Sequence, residues 1–512
     1  MQQSLMKPAF WIGRNLAISY VLLITIVMAG TGLIALYEGA TRFMQPFVTE
    51  NSGQTAQEAV DRLRNAPDIE TLGSVSQEVA LLARATSVER FANSRLPEQG
   101  VYYASMPRSN QLLMVAHVLL GVFCLVIGGF QFWPQFRKRF MKVHRAFGAL
   151  YVITAPLSVV LALVYLVYTP PHHIYAHLVA WVALWIFGLL AILSIVMAVR
   201  AIRARRIHEH QTWMALSFGC LIVAPMLRWN WLLLGLAFPE IDQETLNQVT
   251  LAIMVPEVLL ISYGLTLVNR QYRTAMIRRP ANTLAIRSRQ LIVSAMPLWQ
   301  GLAALIIIVN AASWLFADGT LSLAPAGLIP GALPGQEIAT FQNHPWLGPL
   351  LTISSAVALL IGLSLLNKLL VDPDKKLRHL HTITFVAASL LMAVLCIFTG
   401  HDIGLAENLQ LFSGGTTYVL AGFLTGAFSL IFLATYLAGN AALMKEILIF
   451  VLATLPFNAL LLLFLWITHG LSLPADYLAV GQGYLLPAGA SMSLFFIAML
   501  YVVYGQATRQ HG

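Results

Sequence analysis

Apolar positions in this chain gather into long runs separated by short polar gaps. The first run, LAISYVLLITIVMAGTGLIAL from Leu16 to Leu36, has the roughly 20 residues needed to cross ~30 Å of hydrocarbon. It lacks an A-x-A-like cleavage site, so it reads as a retained helix and not a signal peptide. Eleven more runs follow. Together they predict helical spans at approximately 16–37, 111–133, 146–168, 174–199, 211–236, 248–268, 291–316, 346–366, 381–400, 416–439, 446–468 and 484–505. The expected fold is an all-α polytopic membrane protein with about twelve transmembrane helices.

The gaps carry a second pattern. Basic stretches recur at every other one: RKRFMKVHR, RAIRARRIHEH, NRQYRTAMIRRPANTLAIRSRQ and DPDKKLRHLH. The intervening gaps are neutral or acidic, as in PEIDQET and HDIGLAEN. Lys and Arg are retained on the cytoplasmic side, which predicts that both termini are cytoplasmic. Composition agrees, because 58% of residues are hydrophobic and only 10% charged, against about a quarter charged in a soluble domain. The net charge of +9 is therefore a topology signal, helped by anionic lipid, and implies no nucleic acid.

Five regions follow: an N-terminal helix (1–37), an outer segment (38–110), a histidine-bearing bundle plus one helix (111–268), a basic cytoplasmic loop (269–290) and six C-terminal spans (291–512). Within the outer segment, TAQEAVDRLRNAPDIETLGSVSQEVALLARATSVERF predicts two short amphipathic helices broken around Pro67. That segment is a cap, a platform for a protein partner or a solvated insertion. His344 and His381 open successive helices much as His117 and His144 do, but the next two helices open without histidine. The symmetry fails there, so the histidine layout supports no claim of an internal repeat.

Four consecutive antiparallel spans each carry a histidine in or just before their first turns: His117, His144, His177 and His210. Alternating helix direction predicts His117 and His177 at one depth near the outer surface, and His144 and His210 at another near the inner surface. In a four-helix bundle, alternate helices face each other across the core. Each pair is then suited to the two axial positions of one b-type haem, and two haems form an electron path across the bilayer. Gly121 and Gly148 lie four residues after two of these ligands, where a flat macrocycle can approach the backbone. Arg145 and Arg228 are candidate propionate partners. His208 competes with His210, but the two point to nearly opposite sides of a helix. His210 is preferred because Trp213 follows on its face. His172 and His173 read as outer-surface residues.

The stretch from about Gln111 to Trp231 resembles the bacterial membrane family catalogued as domain of unknown function 2306. The likeness rests on HVLLG leading to GGFQF, then RFMKVHRAFGALY, then HQTWM and Arg228. It implies a bacterial inner membrane and no particular activity. One ligand on each of four consecutive helices also looks like the cytochrome b561 architecture. That resemblance implies two b haems, transmembrane electron transfer and a quinol-like or soluble donor and acceptor. The loops carry no clear ascorbate-site motif.

Glu257, in IMVPEVLLISYG, falls near mid-membrane beside Pro256. It is either a proton or quinone site or a neutral acid bonded to a neighbouring helix. Asn310 and Asn458 are expected to bond between helices. His344, His401 and His469 map to outer helix ends as a weaker candidate metal cluster. Cys124, Cys220 and Cys396 read as small core residues. No CxxCH, P-loop, GxGxxG or HExxH motif occurs.

The leading expectation is thus a di-haem membrane oxidoreductase. The competing one, a secondary transporter or channel-like protein without haem, predicts internal similarity or interrupted helices at matched positions. A third, a structural or assembly protein, places partner binding on 38–110.

Overall fold

The computed structural model describes residues 18–36, 56–75, 106–174, 177–237, 243–271, 290–329, 332–371, 377–404, 415–439, 441–475 and 482–508, with isolated positions between them. Among the described residues, regular structure is entirely helical. Among the described residues nine helices are long and apolar enough to cross a membrane, and two bent pairs raise the number to eleven. The chain is therefore a multi-pass membrane protein. Side chains such as Ile153 and Phe423, 67% and 64% exposed, face outward from these helices, as lipid contact requires.

Of the twelve expected spans, nine to eleven are shown among the described residues. The run at 248–268 lies in one helix from Gln243 to Gln271, whose described stretch Glu257–Val268 is apolar. Two other expected spans are broken. Ile207–Leu221 and Val223–Leu234 meet at 52°, and Leu443–Thr454 and Phe457–His469 at 49°. Proline explains both: Pro225 and Pro456 each lack an N–H and crowd the carbonyl four residues earlier.

The chain separates at Arg279–Pro280 into two compact units. The first contains α1 (Ile18–Leu36), the short α2 (Ala56–Arg64) and α3 (Ile69–Val75) flanking Pro67, and α4 (Arg108–Gln131). It continues with α5 (Pro134–Arg139), α6 (Met141–Tyr168), α7 (His177–Arg203), α8 (Ile207–Leu221), α9 (Val223–Ala237) and α10 (Gln243–Gln271). Helix α4 packs on α6, α6 on α7, α7 on α8, and α8 returns to α4, closing a four-helix ring. Helix α10 packs on both halves of the broken pair α8/α9.

The second unit contains α11 (Met296–Ala311) with a π-helical extension, Ala312–Phe316, then α12 (Leu333–Asn343), α13 (Leu347–Val371) and α14 (His379–Ile403). After these come α15 (Gly415–Leu437), α16 (Ala441–Thr454), α17 (Phe457–His469), α18 (Gln482–Ala490) and α19 (Ser493–Thr508). Its ring is the same: α13 on α14, α14 on α15, α15 on α16, and α16 back on α13.

The correspondence extends to residue numbers. Arg203 and Leu437, Ile207 and Ala441, and Val223 and Phe457 occupy equivalent helix boundaries, and each pair differs by 234. One contact repeats with the same offset. A Cβ on Gly128 would lie 2.7 Å from Phe218 and 3.2 Å from Tyr151, and one on Gly362 would lie 2.7 Å from Leu452 and 2.8 Å from Phe385. Each of these three equivalences again differs by 234, so glycine admits the same close approach in both units. The two rings and their broken helices therefore share one arrangement, which the histidine layout concealed.

Candidate functional site

The first unit's ring decides which histidines meet. Inside it, Tyr151 Oη on α6 and Ser217 Oγ on α8 are hydrogen-bonded across the diagonal at 3.1 Å, both buried. His144 and His210 each stand seven residues before a member of that bond. Seven residues are two turns, so each histidine shares a face with its bonded neighbour. Both helices start at the end of the ring that carries α5, and the bond sets their register. His144 and His210 therefore share that end of the ring, and the charge of His210 acts on His144.

The two imidazoles are held differently. His210 Nδ1–H donates to the Ala198 carbonyl on α7 at 3.1 Å. A carbonyl only accepts, so the lone pair lies on Nε2, the arrangement of a metal-ligating imidazole with its orienting partner. His144 Nδ1 is buried without a hydrogen-bond partner. Beside the pair sits Gln131, 6% exposed, whose Nε2 also lacks a partner. A Cβ on Gly148 would meet only Gln131 Oε1, at 3.7 Å, so the backbone there has open space.

Positive charge surrounds this end. Arg137 on α5 acts on both His144 and His210, and Arg145 on His144. Burial pushes the Arg137 guanidinium down to about 10, still cationic at neutral pH. Arg145 is exposed. His208 is half-buried on the other side of α8, and Glu209 is tied to Arg206 at 2.6 Å.

The expected outer pair is not shown among the described side chains. His117 on α4 is clasped to α6: its Nδ1–H donates to the Ser158 carbonyl at 2.9 Å, and the Ser158 hydroxyl donates to the His117 carbonyl at 2.9 Å. Helix α7 reaches this depth only near Gly188, where a Cβ would lie 2.9 Å from Leu163 and 3.3 Å from Val159. Trp181 Nε1–H donating to the Leu166 carbonyl at 3.2 Å fixes the same register. His177, the first residue of α7, lies eleven residues before Gly188, or about 16 Å along the axis. Two imidazoles on one iron come within about 4 Å, twice a metal–nitrogen bond of about 2 Å. The side chain of His177 lies outside the described residues, and its backbone stands at a different depth from His117. Gly121 faces Ser158 Oγ at 3.6 Å from its Cβ position, so it serves the α4–α6 contact.

Arg228, a candidate propionate partner, lies within α9 just past the break. Its guanidinium donates to the Ala224 carbonyl at 3.0 Å and its charge reaches His117. Glu257 on α10 accepts from Asn230 Nδ2 on α9 at 2.7 Å. It lines an open, largely apolar pocket of about 340 Å³ with Tyr20, Met226, Leu260, Ile261, Tyr263 and Gly264. Pro256 was a visible signal for this site, whereas the role of Asn230 was not.

Elsewhere, His173 stacks on Tyr102 at 4.0 Å. Asn458 Nδ2 donates to Asn310 at 3.2 Å, and Asn310 to Ser355 at 3.0 Å, so both asparagines do bond between helices. All three cysteines are buried and free. His344 approaches Asp402 at 3.6 Å, while His469 sits edge-on to Trp466. Among the described residues no three His, Cys, Asp or Glu side chains converge on one point. The outer-histidine metal cluster is not formed.

A family profile described as "Predicted membrane protein (DUF2306)" matches residues 114–265. That interval contains the whole ring except the first turns of α4, together with Arg228, the break and Glu257. No curated protein and no solved structure matches the chain.

Proposed function

We propose that the first unit is a b-type haem redox module of a bacterial inner membrane, with one haem between His144 and His210. The supporting observation is the register of those two histidines, fixed by Tyr151–Ser217. The residues present fit such a group. His210 has its Nδ1 tethered and Nε2 bare, and Gly148 leaves space beside it. Two imidazoles without a third ligand suit a porphyrin, which supplies its own four nitrogens, better than a bare ion. When bound, the haem supplies one-electron chemistry.

The protein's contribution is positional and electrostatic. Ala198 fixes the tautomer and ring orientation of His210. Arg137 and Arg145 provide donors for propionates and place positive charge beside the site. Tyr151, Phe218 and Phe132 fill the ring behind the pair and exclude water. Positive-inside charge places the α5 end, and both termini, at the cytoplasm. Electrons then enter or leave from a cytoplasmic partner or from a quinol at the Glu257 pocket. With one haem pair formed, the expected two-haem path reduces to one haem near one surface. The purified protein, produced with ample haem, should be red and show reduced low-spin b-haem absorption. Colourless protein would defeat the reading.

A second reading, secondary transport, is favoured by one observation. Interrupted helices at corresponding positions of two units point to binding sites, and α8/α9 and α16/α17 are such a pair. Solute flux in proteoliposomes from haem-free protein would support transport. A flux that follows haem occupancy would support the redox module.

A further inference from the structure

A buried acid in the second unit has no place in that reading. Helix α12 is not among the candidate spans, yet its Glu337 is 1% exposed. Tyr418 Oη donates to Glu337 Oε1 at 3.0 Å, and the Leu321 N–H donates to Oε2 at 2.7 Å. Among the described residues no Lys, Arg or His forms an ion pair with it. The connecting loop is built around this carboxyl. Gly319 has φ 138° and its Cβ would lie 2.6 Å from Glu337 Oε2, so only glycine fits there.

From Glu337 a buried chain of polar groups runs into the unit. Trp314 Nε1–H donates to Tyr418 Oη at 2.9 Å, and Thr320 Oγ1 lies 3.3 Å from the same oxygen. The Thr320 hydroxyl donates to Asn458 Oδ1. Asn458 continues to Asn310 and Ser355. Two members sit where helices are irregular. Trp314 belongs to the π-helical turn, a feature common at functional sites, and Asn458 follows Pro456 at the break.

We propose that Glu337 binds a proton and that Tyr418 and Thr320 carry its protonation state to the break between α16 and α17. With the carboxylate ionised, the Tyr418 hydroxyl donates to it. When the acid takes up a proton, its new O–H donates to Tyr418 Oη, and the phenolic hydrogen turns to Thr320 Oγ1. No heavy-atom bond changes, and the proton stays on Glu337. Thr320 then accepts one bond while donating the other to Asn458, so the contact at the break responds. Burial of Glu337 favours its neutral form and pushes its pKa up. The other titratable groups at this end of the surrounding elements are Tyr418, Asp318, His344, His401, Asp402 and His469, with Cys396, His379, His381 and Tyr436 further along α14 and α15. His344 is matched to Asp402 and Asp318 to Gln342. This site shares no residue with the haem module, so either can fail alone.

The test uses the purified full-length protein titrated between about pH 4 and 9. The carboxyl infrared band is followed together with indole emission, with Trp314 identified by Trp314→Phe. A carboxyl titrating above the ordinary glutamate range, with a Trp314 change at the same midpoint, is expected. Both signals should vanish in Glu337→Gln, and Tyr418→Phe should keep the carboxyl signal while silencing Trp314. Should Glu337→Gln misfold, Glu337→Asp is expected to titrate with a displaced midpoint. No titration in the wild type, its persistence in Glu337→Gln, or an unmoved midpoint in Glu337→Asp would overturn the proposal.

Discussion

Tyr151 on α6 and Ser217 on α8 touch across the diagonal of the first four-helix ring, 3.1 Å apart and fully buried. This bond sets the depth of everything two turns away on either helix. Tyr151→Phe should cost roughly 1 kcal/mol, the net worth of one buried hydrogen bond. Ser217 keeps its bond to the Met214 carbonyl, so it is not orphaned. A double-mutant cycle with Ser217→Ala, read by thermal unfolding in detergent, should show coupling between the two positions. Independent, additive effects would mean that the diagonal is not bridged.

The arrangement shared by the two rings makes paired predictions. Gly128→Ala drives a methyl into Phe218, and Gly362→Ala drives one into Leu452 and Phe385. Each should destabilise by about 1–3 kcal/mol, the usual cost of overpacking. Gly301→Ala has open space and should change little. Unfolding midpoints of the three variants check this; a neutral Gly362→Ala would break the equivalence of the two units.

Much of this fold was legible because apolar runs of span length leave a helix little choice. Pro225 and Pro456 were also visible, yet hydropathy is blind to a missing N–H, so both breaks read as continuous spans. The shared arrangement was hidden because its contacts keep size and not identity: Tyr151 answers to Phe385 and Phe218 to Leu452, and only the glycines match. The outer histidines differ in depth. His177 begins its helix, whereas α4 starts at Arg108 and has run nine residues before His117. The inner histidines stand close after the starts of their helices, His144 three residues into α6 and His210 three into α8, so their depths match. Glu337, in contrast, sat in a mixed loop with no nearby pattern to mark it as buried.

Glu257 and Asn230 form the contact beside the first break. Glu257→Gln keeps an acceptor for the amide and should leave folding intact. Glu257→Leu orphans buried Asn230 and should cost about 1–3 kcal/mol. If the carboxyl also serves a bound quinol, Glu257→Gln should slow quinol-driven haem reduction while leaving the haem spectrum unchanged. Equal reduction rates would leave Glu257 only its bond to Asn230.

Two acids outside the spans pull in opposite directions with pH. Asp68 caps α3 by accepting from the Thr71 N–H and hydroxyl, both at 2.7 Å, which lowers its pKa. The folded value is below the unfolded one, so its contribution is present above the ordinary aspartate range and lost as pH falls through the lowered value. Glu337 is raised, so its contribution is full below the ordinary glutamate range and lost as pH rises through the raised value. Amide exchange near Thr71 should therefore speed up in acid, and amide exchange near Leu321 should speed up toward neutrality. The same pH trend at both sites would contradict these assignments.

Haem stoichiometry across single histidine substitutions tests the central claim most directly. Full-length protein produced with excess haem should hold one b haem per chain, lost in His144→Ala and in His210→Ala and kept in His117→Ala and His177→Ala. Two haems per chain, no haem at all, or a haem that survives loss of His144 or His210 would contradict it.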